Sequence, residues 1–151
     1  MSQSLSRVLL HIIFSTKTRF PFFKDVEVRD EMHRYLAGVF NKNGSPALEV
    51  GGTDDHVHIL CLLSRRQAIS EIINKAKANS SAWAKTLGGI CAKFSWQTGY
   101  GVFSISESQI ESVKEYIGNQ AEHHRRKTFQ DEYLEFLREY KVPYDERYLW
   151  D

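Results

Sequence analysis

Two histidines separated by one residue, His56-Val57-His58, are the sharpest chemical feature of the sequence. Side chains alternate across a β-strand, so both imidazoles project from one face. Such a pair can share a divalent cation. The same spacing also fits two unrelated histidines, one hydrogen-bonded and one at a sheet rim. Asp55, just before them, either orients His56 through a hydrogen bond or simply belongs to a turn. No His-Glu-x-x-His pattern occurs, and Ile59, Leu60 and Cys61 add no ligand at close spacing. A metal at this pair therefore needs help from elsewhere in the chain.

Tyr116 and Gln120 are a second constellation. Four residues apart on a helix, they lie on one face one turn from each other. His123 and Lys127 continue the face. This polar stripe lies roughly at right angles to an apolar stripe of Ile110, Val113, Ile117 and Ala121. The helix can thus pack on a sheet while presenting Tyr116 and Gln120 at its shoulder. An ordinary interfacial tyrosine on a solvated shoulder would look the same.

The elements that must position these groups follow from hydrophobic period and punctuation. Val8 to Phe14 reads as a central strand, short, apolar and partly β-branched. Asp25 caps a helix with apolar positions at Val28, Met32, Leu36, Val39 and Phe40, closed by Asn43-Gly44. Ala47–Val50 gives a second strand, Gly51 to Asp54 a turn, and Val57 to Leu63 a third strand. A second helix carries Ile69, Ile72, Ile73, Ala76 and Trp83, and ends at Gly88-Gly89. Residues 94–97 and 100–105 read as extended. Ser108 with Glu111 opens the tyrosine helix, and a last helix spans Asp131 to Tyr140 before Val142-Pro143. The order βαββαβ, with an added helix and a tail, predicts an α+β ferredoxin-like (RRM-like) sandwich, its helices on one face of an antiparallel sheet. A single domain over residues 1–151 is expected, with the tyrosine helix at 106–128 and an acidic tail at 129–151.

Net charge is +1 over the chain, but it is unevenly placed. Residues 130–151 carry −4 and the rest +5. A moderately basic body with an acidic tail is compatible with DNA binding without demonstrating it. No apolar run reaches the roughly 20 residues of a membrane span. The amino terminus lacks a secretory layout. Cys61 and Cys91 sit in apolar stretches and read as buried thiols, so a cytoplasmic protein is expected.

Taken together, these residues resemble the single-tyrosine HUH transposases of the smallest bacterial insertion sequences, with their REP-associated relatives. The resemblance runs through His11 to Lys17, Asp55 to Leu60, Trp96 to Ser104, Tyr116-Ile117-Gly118-Asn119-Gln120 with Glu122-His123-His124, and Tyr144 to Trp150. It implies that His56, His58 and Gln120 hold Mg²⁺ or Mn²⁺, and that Tyr116 attacks a DNA phosphate. The implied product is a 5′-phosphotyrosine link with a free 3′-hydroxyl, an exchange of phosphoesters that needs no ATP. Imidazole ligands favour Mn²⁺ over Mg²⁺. A phenol is mostly protonated near neutral pH. The sequence offers no obvious base; the metal's field is one candidate means of activation and His123 a second. Hairpin-forming single-stranded DNA and a homodimer are the implied partners.

The basic groups Arg65, Arg66, Lys75 and Lys77 near the second helix, and Arg125, Arg126 and Lys127 after the third, are candidate phosphate contacts or plain solvated faces. Trp96, Tyr100 and Phe103 fit base stacking or, more simply, a core. His11 reads as a hydrogen-bonded core or near-site histidine, while His33 and His124 have only surface or packing roles. The alternative function is a non-catalytic hairpin-binding module of the same fold. A third is a metal nuclease in which water attacks.

Overall fold

The computed structural model describes residues 2–150. Four strands, β1 (Leu9–Ser15), β2 (Ala47–Gly52), β3 (His56–Leu62) and β4 (Gly101–Ser104), form one antiparallel sheet in the order β2-β3-β1-β4. Helices α1 (Val26–Lys42) and α2 (Ile69–Thr86) complete the βαββαβ order expected of a ferredoxin-like fold. Asp25 caps α1 as anticipated, its side chain accepting from the backbone N–H groups of Glu27 and Val28. Residues 94–97 form no strand. A bridge pairs Thr16 with Trp96, and Gln97 is bonded twice to Ser15 at the end of β1: its N–H donates to the Ser15 carbonyl at 2.9 Å and its Oε1 accepts from the Ser15 N–H at 2.6 Å.

Both sheet faces are covered, which the one-sided sandwich did not anticipate. Every residue of β1 is buried, as are the first six of β3, whereas a sheet with one wet face alternates. Leu10, Ile12, Phe14, Val57, Ile59 and Cys61 point into the main core beneath α1 and α2, with Met32, Leu36, Ile72 and Ile73. The opposite face carries His11, Ile13, His56 and His58. It is closed by α3 (Ile110–Gly118), the single turn α4 (Gln120–His123) and α5 (Phe129–Glu139). There Ile13 and Phe103 pack with Phe129, Tyr133 and Leu137 of α5. The segment expected to be an acidic tail thus supplies the lid of a second core. Cys61 and Cys91 are buried free thiols, and burial pushes Cys61 up to about 12.

The tyrosine helix starts and ends differently from its sequence pattern. Its opening box is Ser106 with Gln109, whose Oε1 accepts from the Ser106 N–H at 2.8 Å, rather than Ser108 with Glu111. The helix breaks at Asn119, just past Gly118, and resumes at Gln120. The break turns Gln120 inward, 1% exposed, and leaves Ala121 exposed although the unbroken helix would have buried it. Glycine costs about 1 kcal/mol in a helix interior, which makes this the weak point of the element.

Gly51 sets how closely α3 approaches. A Cβ at Gly51 would stand 2.4 Å from the Ile117 carbonyl oxygen and 2.8 Å from Ile117 Cγ2. Gly51 pairs with His58 across the β2–β3 ladder, so the same residue seats Tyr116's helix beside the histidine strand. Gly51→Ala should cost about 1–3 kcal/mol through overpacking. A thermal melt reads the cost; a wild-type melting temperature would show that the helix is seated by something else.

Candidate metal and nucleophile site

β3 places His56 and His58 on one face, both fully buried. Strand pairing sets them opposite Ser15 and Ile13 of β1. Asp55 accepts from His56 Nδ1 at 2.8 Å, and Thr53 Oγ1 stands 3.0 Å from the same nitrogen. Thr16 fixes this turn by donating its backbone N–H to the Asp55 carbonyl at 2.8 Å. The bond from His56 to Asp55 leaves the Nε2 lone pair aimed at Gln120 Oε1, 3.1 Å away. Two acceptors face to face are an arrangement that a cation resolves.

His58 is held from behind by His11, whose Nε2 lies 2.8 Å from His58 Nδ1. His11 is therefore a near-site histidine. Burial drops the His58 imidazole to about 4, against the pull of Glu132, and His11 to about 3. Both are neutral at pH 7, and a neutral imidazole is the form that binds metal.

Two residues absent from the expected site complete it. Glu132 of α5 is 3% exposed, and its Oε1 stands 3.0 Å from His58 Nε2, 3.3 Å from His124 Nε2 and 3.8 Å from His56 Nε2. His124, expected only to pack or face solvent, also reaches Gln120 Oε1 at 3.1 Å. Ligand atoms of His56, His58, His124 and Glu132 all lie within 4.8 Å of one another, a group able to hold a metal ion. Neighbouring ligands of an octahedral ion at 2.0–2.1 Å are about 3 Å apart, which these separations approach. The donors suit a divalent cation. One signal of Glu132 was present in the sequence: on α5 it shares a helical face with Phe129, Tyr133 and Phe136, an odd place for a carboxylate without a partner.

The Tyr116 hydroxyl donates to Glu132 Oε2. Its ring lies 5.8 Å from that of His58 and 6.2 Å from that of His11, centroid to centroid. Burial, then the charge of Glu132, raises the phenol well above its ordinary value. Burial alone would raise the Glu132 carboxyl too, but bonds from His124 and His58 hold it far below the carboxylate range. For His124, burial pulls downward and the bond to Glu132 outweighs it, so its value rises. His123 is exposed and lies tilted by 40° against the Tyr116 ring, 4.4 Å between centroids, without a bond to the phenol oxygen.

Tyr116 and Glu132 open onto a cleft of about 530 Å³, lined also by His123, Arg126, Lys127 and three further carboxylates, Glu122, Glu135 and Glu139; Lys127 Nζ is paired with Glu135 Oε2 at 2.5 Å. Other basic candidates lie elsewhere. Arg65 and Arg66 are exposed beyond the far end of β3 from His56, roughly 20 Å along the strand. Lys75 is exposed on α2, its amine 3.3 Å from Asn43 Oδ1. Lys77 is not a free cation. It donates to the carbonyls of Gln97, Thr98 and Gly99 at 2.9, 3.2 and 2.7 Å, and burial lowers it to about 8. Arg125 is exposed and pairs with Glu122. Trp96 and Phe103 are core residues, while Tyr100 is partly exposed beneath Lys77.

A family model described as IS200-like transposase matches residues 4–120. The ISDra2 transposase TnpA of Deinococcus radiodurans is 24% identical over 115 residues, covering 73% of this chain and 81% of that protein. A crystal structure described as a candidate transposase from D. radiodurans aligns with TM-score 0.61 and 23% identity, over 80% of this chain and 98% of that one. The structure of a REP-associated tyrosine transposase bound to a REP hairpin aligns with TM-score 0.58 and 13% identity, over 82% and 74%. At these identities the two structures establish a common fold. The family match ends at Gln120, so His124 and Glu132 lie beyond it. Among the described residues no helix is long and apolar enough to cross a membrane.

Proposed function

Because the chain belongs to the IS200-like transposase family, we propose that it cuts and rejoins single-stranded DNA with Tyr116 as nucleophile, beside a divalent metal held by His56, His58 and Gln120. What supports this reading is the meeting, within one chain, of two strand imidazoles, a helical amide oxygen and a phenol joined to them through Glu132. Mg²⁺ or Mn²⁺, when bound there, supplies Lewis-acid polarisation of the scissile phosphate and offsets its charge in the transition state.

The chain's own groups do the rest. Tyr116 Oη forms a bond to phosphorus while the bond to the 3′-oxygen breaks, and that oxygen leaves as a hydroxyl after taking a proton. The hydrogen bond from the phenol to Glu132 Oε2 holds Oη in place, and the proton the phenol loses balances the one the 3′-oxygen gains. The product is a 5′-phosphotyrosine ester, and attack by another 3′-hydroxyl reverses it, so ligation needs no external energy. Arg126, exposed at the cleft beside Tyr116, contacts phosphates of the strand, and Lys127 joins it on exchanging its partner Glu135 for a phosphate. The substrate is hairpin-forming single-stranded DNA, a reading that the REP-hairpin-bound neighbour supports, and the reaction takes place in the cytoplasm.

The test is a 3′-end-labelled hairpin oligonucleotide incubated with protein and Mn²⁺, then run under denaturing conditions. A labelled band that migrates with the protein is expected. Free labelled fragments without it would instead favour water as the attacking group. The working unit is a homodimer. Light scattering of the protein at micromolar concentration should give the mass of a pair, and the mass of one chain would refute that part.

A further inference from the structure

We propose that Glu132, carried by α5 outside the family-matched segment, is itself a ligand of the catalytic cation and the group that positions Tyr116 beside it. The inference rests on the metal-dependent reading above and adds a residue to it.

Charge is the first argument. His56, His58 and Gln120 are neutral donors, and all three are buried. A divalent cation among them alone would sit largely uncompensated away from water, which is strongly unfavourable. Asp55 lies behind His56, bonded to Nδ1 rather than facing the cluster. Glu132 is the one carboxylate in the group of potential ligands among the described residues. Hard cations such as Mg²⁺ and Mn²⁺ also prefer oxygen donors.

Placement is the second argument. Oε1 stands 3.0, 3.3 and 3.8 Å from three imidazole nitrogens, so it already occupies a corner of the cluster. Oε2 accepts from the Tyr116 hydroxyl. One carboxylate thus spans the ligand group and the nucleophile, fixing their separation. Its helix is anchored at both the core and the amino end. Phe129, Tyr133 and Leu137 are buried against Ile13 and Phe103, and Thr128 Oγ1 caps the first turn by accepting from the Asp131 N–H at 3.1 Å. A carboxylate only 3% exposed at the edge of an amphipathic helix's apolar face needs such partners to be tolerated.

The experiment is Mn²⁺ binding to the full chain, by titration calorimetry and by the loss of free-ion EPR signal. Glu132→Gln keeps the shape and removes the charge, Glu132→Asp keeps the charge on a shorter arm, and Asp131→Asn alters an exposed neighbouring carboxylate. Glu132→Gln should weaken Mn²⁺ binding by at least about tenfold, with Glu132→Asp in between. Asp131→Asn should match wild type. Circular dichroism checks folding, and if the Gln variant is unfolded the Asp variant decides by the same comparison. Wild-type affinity in the Glu132 variants, alongside lost affinity in His58→Ala, would remove Glu132 from the ligand set and leave the histidine site standing. If wild type itself shows no saturable binding, the metal reading fails and this inference with it.

Discussion

Tyr116→Phe should leave no covalent protein–DNA product and reduce strand cleavage by at least about 10³-fold, the scale of losing a nucleophile. Hairpin affinity should stay near that of wild type. The substitution removes one oxygen and keeps the ring, whose neighbours His11, His123 and Phe136 pack against its faces and edges. It does cost something in stability. Glu132 Oε2 loses the donor that the phenol supplied, and an orphaned buried acceptor is worth about 1–3 kcal/mol. In a domain of this size that is a fall in Tm of roughly 2–12 °C. The contrast between a modest melt shift and a lost adduct separates a chemical role from a structural one. Gel shift, denaturing electrophoresis and a melt on the same preparation suffice. Should the Phe protein still cleave and leave free 5′-phosphate ends, water would be the attacking group. Should wild type form no adduct either, hairpin binding without chemistry would be the better description.

His58→Ala should remove Mn²⁺ binding and cleavage together. The imidazole is fully buried, wedged between His11 on one nitrogen and Glu132 on the other. Deleting it takes away a ligand atom, opens a cavity and leaves His11 Nε2 without its partner. Changing the hydrogen-bonding support behind a metal ligand typically costs 10–100-fold in affinity, so deleting the ligand should cost at least about 100-fold. DNA binding, which on the proposed reading uses phosphate contacts at the cleft rather than His58, should survive. Calorimetry with Mn²⁺ and a cleavage assay across a range of metal concentrations read the two effects. Cleavage restored by excess metal would fit a weakened site, while unchanged affinity would place the cation elsewhere. The raised phenol gives a reason for cleavage to depend on metal: burial and the Glu132 charge both hold Tyr116 protonated in the metal-free protein.

The sequence alone determined what short-range pattern can specify. Alternation along β3 put His56 and His58 on one face, the capping residue Asp25 placed the start of α1, and the order βαββαβ led to the sheet that is observed. The pairing of Asp55 with His56 was also open to reading, because the partners are adjacent in the chain. Only the tertiary structure decided the rest. Gln120 was legible by its spacing from Tyr116 and by resemblance, but its burial against His56 comes with a break at Asn119 that a pattern of constant pitch does not show. His124 and Glu132 looked like a surface histidine and one acid among several, yet both are drawn into the site when α5 docks over β1 and β4. Lys77 looked like a free cation and is bound to three carbonyls of a loop 20 residues or more away. Hydrophobic period tells which face of an element is apolar. Which other element covers that face, and which polar groups are enclosed as it closes, is settled by long-range packing among segments that no local pattern connects.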